Sequence, residues 1–484
     1  MSGEAVRLVP VDEERVKGVR GAPTVDREDE RMELEEVLSR IIEDRVEFVR
    51  FEQTDLHGIS RSKTVPARHV EAFAKDGLNF LLGQLGFDAQ AGVAPGTGYL
   101  EDRGFPDSKL FPDLDTYAVL PWADATARLL CTPHFFDGTP VPASPRLAMA
   151  RLCKQLEGEG YRHLAGYEYE LYLARSEDRQ PPFIGIQIFA TLRNSFDEAF
   201  VTEVLRALPR VGVDIITANA EYGPGQMEIN FAPAIGVAAA DQAFAFKNGI
   251  KEIARRHGYM ASFMTKPYAD QSACGCHLHE SLVEISSGRN AFAEDDTTPG
   301  RLSQVGRWWV GGQLAHLPAL TALFAPTVNC GKRFKLWSFA PVNATWGLEN
   351  RTVAIRLKGL AGARLHLENR VPCGASNPYL VGAAAIAAGL DGIRNRIEPP
   401  PAIDGLAYGM EGPTPIPTRL EAALDALEKD GVLRELLGEE LIRVFLAVKR
   451  HEIAKTAEQA LDYTAADWTD RVDDFEVREL FEFL

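Results

Sequence analysis

The segment GYEYELYL, residues 166–173, sets two carboxylates two positions apart among tyrosines and leucines. Its alternation and aromatic content predict a β-strand, in which residues two apart point to the same side. Glu168 and Glu170 would then share one face, about 7 Å apart. For a lone pair of this kind a solvated strand face is the ordinary explanation. The rest of the chain decides whether water or a bound cation faces this pair.

Composition places the chain among globular proteins, with 484 residues, 45% hydrophobic and 25% charged. Its length favours two domains plus a tail. Six scattered cysteines form no disulfide framework, and no basic-then-apolar signal or membrane-spanning run is present. We therefore expect a cytoplasmic protein that does not bind membranes. The net charge of −17 argues against a nucleic-acid partner.

Composition and residue patterns divide the chain into three parts. Residues 1–34 are polar and acidic, which is typical of a mobile segment running into a helix. Residues 35–139 contain short strand-like runs and loops rich in Gly and Pro, so we expect a small strand-rich domain. Ser144 followed by Pro145 predicts a helix start, which places residues 140–484 in a second, larger domain.

Two further segments supply metal-ligand chemistry. AEYGPGQMEINF, residues 220–231, adds Glu221 and Glu228 on either side of a Gly-Pro-Gly turn. In SACGCHLHESL, residues 272–282, a strand would place His277, His279 and Ser281 on one face and the cysteines on the other. Tetrahedral zinc needs converging ligands, so this divergence disfavours zinc. Imidazole with carboxylates from elsewhere suits Mg²⁺ or Mn²⁺ better.

Basic residues gather near the middle of the second domain. In ARLHLENR, residues 363–370, an alternating strand would present one fully ionisable face: Arg364, His366, Glu368 and Arg370. Upstream, a stretch of 25 residues also carries Lys332, Arg333, Arg351 and Arg356. Arginine forks suit phosphate and carboxylate. Arg351 and Arg356 are five apart, so a bend is needed to bring both to one site.

Together these segments offer acids and a histidine for two divalent cations, and arginines for a polyphosphate and a carboxylate. Cations would also make the pair Glu168 and Glu170 tolerable. Metals that bridge phosphate oxygens and arginines that neutralise developing charge are the parts that phosphoryl transfer needs.

The order and spacing of these motifs, from about Asp44 to the C-terminus, resemble the glutamine synthetase family. The matching segments are GFPDSKLFPDLDTYAVLPW, GYEYELYL, EYGPGQMEINF, HLHESL, APVNATWGLENRTVAIRL and ENRVPCGASNPYL. The resemblance implies an α+β fold, with a small N-terminal β-grasp domain and a large catalytic α/β domain. It also implies a homo-oligomer, a dodecamer of two hexameric rings with active sites between neighbouring subunits.

The resemblance also implies residue roles. One metal would be held by Glu170, Glu221 and Glu228, and a second by Glu168, His277 and Glu368. The catalytic arginines would be Arg333, Arg351 and Arg356. Substrate would meet Arg333, Arg351, Arg370, Gly275 and Phe339. Nucleotide would meet His279, Ser281, Arg356 and His366. The implied reaction phosphorylates the γ-carboxylate of glutamate with ATP, after which an amine attacks the acyl phosphate to give an amide.

Two departures from the family concern the amine. Phe339 stands where ammonia-using members carry a flap glutamate, and the N-domain reads FLLGQLGFDAQAG where they carry an Asp-Gly-Ser-Ser run. An ammonium pocket needs carboxylates to replace water, so their loss predicts a larger, less polar amine. Trp337 and Trp346 could extend an apolar wall or pack in the core, and Asp88 could be a surviving acid.

Several readings stay open at this point. We expect a γ-glutamyl-amide synthetase, with alkyl, aryl, hydroxyalkyl and polyamine substrates all open and Phe339 favouring an apolar body. The alternatives are an ammonia-dependent glutamine synthetase and an inactive scaffold or amine sensor. The presence of every implied metal ligand argues against an inactive protein. His366 argues for one, because it replaces an arginine that the family usually places near ATP.

Overall fold

A computed structural model of the protein describes residues 32–185, 188–194 and 196–484. The predicted acidic segment 1–34 therefore lies almost wholly outside the described residues. Residues 32–484 pack as one unit, and the predicted division at residue 139 stays a prediction.

The N-terminal part is built on a five-stranded sheet in the order β2-β1-β5-β4-β3. Its central strands β1 and β5 run parallel, and the other neighbours are antiparallel. The elements are α1 (Leu34–Glu43), β1 (Phe48–Thr54), β2 (Ser60–Pro66), α2 (Val70–Asp76), β3 (Leu78–Leu81), β4 (Asp107–Val119) and β5 (Thr126–His134). Helix α1 buries Val37 and Ile41, four residues apart, in a small core shared with the sheet. This confirms the predicted strand-rich sheet in the N-terminal part of the chain.

The larger part contains a nine-stranded sheet in the order β12-β13-β14-β11-β6-β8-β7, with β9 and β10 paired to β6. The strands are β6 (Tyr161–Arg175), β7 (Ile215–Ala220), β8 (Gln226–Phe231), β9 (Ala234–Ile235), β10 (Tyr259–Ser262), β11 (Cys276–Glu284), β12 (Trp346–Leu348), β13 (Ile355–Leu357) and β14 (Leu367–Asn369). Strand β6 contains the opening motif, so the predicted strand is confirmed. The mixed α/β fold class is confirmed as well.

Helices cover one face of this sheet and complete the core. They are α3 (Pro145–Gly158), α4 (Thr191–Asn194), α5 (Glu198–Ala207), α6 (Val237–Arg256), α7 (Gln304–Ala315), α8 (Leu317–Phe324), α9 (Pro378–Asn395), α10 (Leu420–Lys429), α11 (Gly431–Leu437), α12 (Glu439–Gln459) and α13 (Asp474–Leu480). Helix α3 begins at Pro145 as predicted. Within the described residues, every helix is too short or too polar to cross a lipid bilayer.

The alternation of side chains along β6 decides which face of the sheet is buried against the helices. Tyr167 and Tyr169 are fully buried. Their hydroxyls donate to the carbonyl oxygens of Pro378 (2.8 Å) and Ser376 (3.2 Å) at the start of α9. Burial of two rings with satisfied hydroxyls fixes the strand against the helices. The glutamates between and after these tyrosines therefore point to the opposite face.

One expected strand is shorter than its sequence pattern predicts. The segment 363–370 was expected to alternate throughout, but Gly362–Arg364 forms a 3₁₀ turn and only Leu367–Asn369 is strand. The Nδ1 of His366 hydrogen-bonds the carbonyl oxygen of Arg364 at 2.8 Å, which closes the backbone locally. The prediction of a continuous ionisable strand face is therefore wrong for Arg364.

A buried ion pair ties the C-terminal helix to the segment that carries Arg333. The Nζ of Lys332 lies 2.5 Å from the Oε2 of Glu476, and both side chains are fully buried. We expect Glu476→Ala to lower the free energy of unfolding by about 3–5 kcal/mol, because it leaves Lys332 buried and unpaired. The shift in the urea midpoint measures this loss.

The matched control is Glu439→Ala, which removes an exposed pair with Arg434. It should change stability by no more than about 1 kcal/mol. Equal midpoints for the two variants would show that the buried pair does not hold this region together.

Candidate active site

Strand register brings the predicted site residues onto one face of the large sheet. Glu168 of β6 lies opposite His277 of β11, and Glu170 lies opposite Glu228 of β8. Residues directly opposite on neighbouring strands point to the same side. Both pairs therefore face away from the helices.

The same row continues across two more strands. Glu368 of β14 lies opposite His279 of β11 and also opposite Arg356 of β13. Four strands beside β6 thus add ionisable side chains to the face that carries Glu168. The bend that Arg351 and Arg356 need is present, because Arg351 lies in a turn before β13.

Glu168 is the centre of one half of the site. Its Oε1 lies 2.6 Å from the Nδ1 of His277, and its Oε2 lies 3.1 Å from the Nε2 of His279. The Nδ1 of His277 is also 3.5 Å from an oxygen of Glu368. These contacts join the two carboxylates through imidazoles, an arrangement in which each group can also ligate a metal.

A ligand set for one divalent cation is already assembled. Ligand atoms of Glu168, His279 and Glu368 all lie within 4.8 Å of one another, the only such set of three or more among the described residues. Two carboxylates and one imidazole suit Mg²⁺ or Mn²⁺. The resemblance implies His277 in this set, whereas the geometry brings in His279, which was expected beside the nucleotide.

Charge explains why these two acids stay ionised. Burial alone would raise the pKa of Glu168, but hydrogen bonds from His277 and His279 hold it well below its usual range. Burial likewise opposes ionisation of Glu368, but the charge of Arg370 lowers its pKa to about 2. Both are therefore carboxylates at neutral pH and available as ligands.

The other half of the site is acidic and crowded. Burial and the charge of Glu170 raise the pKa of Glu221 to about 7. Burial and the charges of Glu168 and Glu170 raise that of Glu228 to about 9. A divalent cation among these carboxylates would relieve the repulsion, so the residues fit the first implied metal site.

Glu170 differs from its acidic neighbours because backbone and amide donors hold it. Its Oε2 accepts hydrogen bonds from the Nε2 of Gln226 and the backbone N–H of Gly275, both at 3.0 Å. A Cβ at Gly275 would lie 2.8 Å from a guanidinium nitrogen of Arg333. Gly275 is thus needed so that Arg333 can approach the acid row.

The arginines are held in different ways. Arg333 donates to the carbonyl oxygens of Arg370 and Val371, both at 3.0 Å, and so supports the backbone beyond β14. Arg370 contacts Glu368, and its Nη2 donates to the carbonyl oxygen of Phe339 at 3.0 Å. Arg356 donates to Glu368 at 3.0 Å. Glu368 is thus fixed by two guanidinium groups.

Arg351 stands apart from this network. It is exposed, and among the described residues its side chain forms no hydrogen bond or ion pair. Its charge nevertheless offsets a small part of the rise that burial and Glu170 cause in the pKa of Glu221. A free guanidinium beside acids is available for an anionic substrate.

A cavity of about 710 Å³ opens beside Glu168. Its lining combines apolar side chains with basic and hydroxyl groups, a composition suited to a nucleotide. The residues that form it include Ile216, Phe231, Pro233, His279, Ser281, Lys358, Leu360, Arg364 and His366. Three of the four residues predicted to contact the nucleotide line this cavity: His279, Ser281 and His366. The fourth, Arg356, lies instead among the ionisable side chains on the face of the sheet.

His279 and His366 form a pair that carries a proton in this geometry. The Nε2 of His366 and Nδ1 of His279 are 3.1 Å apart, and the outer nitrogens face Arg364 O and Glu168, both acceptors. Three hydrogen bonds need three N–H groups, one more than two neutral imidazoles supply. Burial opposes protonation of His279, but Glu168 raises its pKa, whereas burial and the neighbouring His279 lower the pKa of His366. In the absence of a metal ion, His279 is therefore the histidine of the pair that more readily accepts the additional proton.

Two candidates from the sequence lie elsewhere. Asp88 is buried in an ion pair with Lys455 of α12 at 3.0 Å. Trp346 is buried, and its Nε1 donates to the carbonyl oxygen of Pro400 at 2.7 Å, so it packs in the core. Phe339 and Trp337 are exposed, at 50% and 71%. Only the last two are placed to meet a ligand from solvent.

Sequence reasoning missed several contributors. Glu349 hydrogen-bonds Arg356 and accepts the backbone N–H of Gly359 at 2.6 Å, which holds that arginine towards Glu368. Lys358 lines the nucleotide-sized cavity. Tyr222 stacks on Phe339. Of these residues, Glu349 could have been predicted from the sequence as a partner for an arginine, since it lies seven residues before Arg356 in the arginine-rich segment.

Comparisons with known proteins agree with this geometry. The family model for the glutamine synthetase catalytic domain matches residues 142–467. Lengsin from Homo sapiens is 34% identical over 446 residues, covering 87% of this chain and 82% of lengsin. Glutamate–isopropylamine ligase from Pseudomonas sp. is 33% identical over 445 residues, covering 89% and 96%. Relatives at 33% identity also include a glutamine synthetase.

A solved structure shares the fold. The complex of GmaS with ADP superposes with a TM-score of 0.79 at 30% identity, covering 88% of this chain and 97% of GmaS. Fold and sequence agree with these proteins over most of the chain, and they define a family of ATP-dependent ligases that use divalent metals. The chain belongs to the glutamine synthetase family.

The crowded acids predict a pH dependence of stability. The pKa of Glu228 rises from 4.5 to about 9 on folding, so the folded protein keeps a proton that the unfolded chain loses above pH 4.5. We expect the metal-free protein to lose stability progressively as pH rises from about 4.5 to about 9. Thermal unfolding across this window measures the loss.

Glu228→Gln should flatten this profile, because the amide has no proton to lose. Saturating Mg²⁺ should flatten it in the unchanged protein, because the cation replaces the proton. Exposed Glu439→Gln serves as the control and should keep the full slope. A Glu228→Gln profile that parallels the unchanged protein would contradict this account of the acid crowding.

Proposed function

We propose that the protein ligates the γ-carboxylate of glutamate to an organic amine, with ATP and through a γ-glutamyl phosphate, giving a γ-glutamyl amide, ADP and phosphate. The observation that carries the amine assignment is the Phe339 ring, half exposed above the site where ammonia-using relatives are expected to carry a carboxylate. Glutamate–isopropylamine ligase, similar over 89% of the chain, supports this class of substrate.

The acid row would bind the metal ions of the reaction. Bound Mg²⁺ or Mn²⁺, two or more per site, would screen the phosphates of ATP from the carboxylate of glutamate. Glu168, Glu368 and the two histidines would hold one ion, and Glu170, Glu221 and Glu228 the other. The cavity beside Glu168 would take ATP, which the GmaS complex with ADP supports.

The arginines would handle the anionic substrates. Free Arg351 would meet the carboxylates and the transferred phosphoryl group, whose charge it stabilises without first breaking a contact. Arg333, Arg356 and Arg370 already bind Glu368 or backbone carbonyls, so their heads are fixed before substrate arrives. Preorganised donors of this kind need little rearrangement in the transition state.

The amine would enter beside Phe339. The carbonyl oxygen of Phe339 accepts from Arg370, so the backbone of this residue lies next to the predicted glutamate-binding cation. An apolar amine gains by leaving water for an aromatic surface, whereas ammonium loses hydration there without a replacing carboxylate. A homo-oligomer of two hexameric rings, the assembly that the family resemblance implies, belongs to this proposal.

Ammonia-dependent glutamine synthesis is the second candidate, because a glutamine synthetase is 33% identical to the chain. Phe339→Glu restores the expected carboxylate and should raise kcat/KM for ammonium while lowering it for organic amines. The measurement is phosphate release with glutamate, ATP and Mg²⁺, with products identified by mass, across ammonium, methylamine, isopropylamine, ethanolamine, aniline and putrescine.

Phe339→Gln is the matched control, polar but uncharged, and should lose the organic amine without gaining ammonium. A preference for ammonium in the unchanged protein would overturn the amine assignment. No turnover with any amine, despite ATP binding, would overturn the proposed reaction itself.

Arg351 offers a test of catalysis that leaves the fold alone. Because it is exposed and unpaired among the described residues, we expect Arg351→Ala to lower kcat/KM by about 100-fold with an unchanged melting temperature. Arg351→Lys should recover part of the loss through its charge. An Arg351→Ala variant with full activity would remove this residue from the mechanism.

A further inference from the structure

Two aromatic rings from distant parts of the sequence meet at the mouth of the site. Tyr222 follows Glu221 in the turn between β7 and β8, and Phe339 lies in the loop before β12. Their ring centroids are 5.9 Å apart with an interplanar angle of 25°, and the residues are 37% and 50% exposed. The rings pack on one another while still offering surface to solvent.

The loop that carries Phe339 is held by its backbone and its one hydroxyl. Ser338 Oγ hydrogen-bonds the carbonyl oxygen of Lys335 at 2.7 Å, and Arg370 donates to that of Phe339 at 3.0 Å. Trp337 and Phe339 have φ values of 64° and 59°, in the left-handed region that residues with side chains avoid. Unfavourable backbone maintained by surrounding contacts is typical of ligand sites.

The stack connects both halves of the ionisable face. The backbone N–H of Tyr222 donates to an oxygen of Glu221 at 3.2 Å. Arg370, which binds the Phe339 carbonyl, contacts Glu368. A molecule resting on the Phe339 ring therefore lies beside the groups predicted to hold glutamate and metal.

The one carboxylate that adjoins the stack already has an assigned role. Residues 222–227 read YGPGQM and residues 336–340 read LWSFA, with no carboxylate in either, and the preceding Glu221 is predicted to hold metal. Against the ring faces, the distal ammonium of a polyamine or the hydroxyl of a hydroxyalkyl amine would lose hydration without gaining a charged partner. An alkyl or aryl body meets no such cost.

We propose that Tyr222 is a specificity-determining residue, which holds the Phe339 ring as the wall against which the apolar body of a compact primary monoamine packs. This inference rests on the proposed amine ligation and names its substrate class. Tyr222 acts through Phe339 and is therefore a positioning residue. Its hydroxyl plays no part, because the contact is between ring faces.

The test measures KM and kcat separately for isopropylamine, aniline, ethanolamine and putrescine, with hydroxylamine as a small nucleophile that captures the acyl phosphate. Tyr222→Ala should raise KM for isopropylamine and aniline by about 10-fold. It should leave kcat and the KM for hydroxylamine within about 2-fold, because a small polar nucleophile does not need the wall. Tyr222→Phe keeps the ring and should match the unchanged protein.

Phe136→Ala is the matched control. Phe136 is an aromatic residue, 64% exposed on the turn after β5, and its truncation should alter no amine KM. If Tyr222→Ala does not fold, as judged by its melting curve, Tyr222→Leu replaces it, since Leu keeps the bulk but lacks a flat face.

The outcomes separate this inference from the function on which it rests. Ammonium preference in the unchanged protein overturns the ligase assignment and the inference together. Turnover of an organic amine with Tyr222→Ala unchanged, or with hydroxylamine and isopropylamine impaired equally, overturns the role of Tyr222 alone. Preference of the unchanged protein for putrescine or ethanolamine overturns the apolar monoamine class while amine ligation stands.

Discussion

Repulsion between carboxylates on one face of a β-sheet is the constraint around which the site is organised. Glu168, Glu170 and Glu228 share that face because strand pairing puts them there, and the tyrosines between them are locked against the helices. The sheet therefore has no freedom to turn these acids apart. Their repulsion must therefore be compensated by positive charge. Around Glu168 the chain supplies this charge as histidine and arginine, whereas around Glu228 a proton or a metal ion must supply it.

Glu368 shows how much of that compensation is internal. It is buried, yet two arginines and an imidazole surround it, so it stays ionised. Buried charges of this kind are tolerated only when they are paired and hydrogen-bonded. The same contacts fix Arg356 and Arg370, so one carboxylate orients two guanidinium groups. In the proposed reaction, structural support and substrate recognition would share this set of contacts.

The sequence was informative where local periodicity controls geometry. The β6 strand, the shared face of Glu168 and Glu170, the His277 and His279 alternation and the start of α3 all follow from spacing of two or from a Ser-Pro pair. Resemblance added the family and the fold class. Prediction failed where a turn interrupts the pattern, as before β14. The predicted ligand His277 stays a prediction, beside the compact set of Glu168, His279 and Glu368 that the structure adds. Sequence reasoning missed the contact of Tyr222 with Phe339, because no local pattern encodes a contact across more than a hundred residues.

The hydrogen bond from Arg370 to the loop is made to the carbonyl oxygen of Phe339 and not to its ring. Any residue at this position offers the same oxygen, so the side chain can be exchanged while the loop keeps its anchor. In the proposed reaction, selectivity for the nucleophile would thereby be separated from the machinery that activates the acid. Gene duplication followed by change at a single position could give enzymes that share one activation chemistry and differ in the nitrogen compounds they consume.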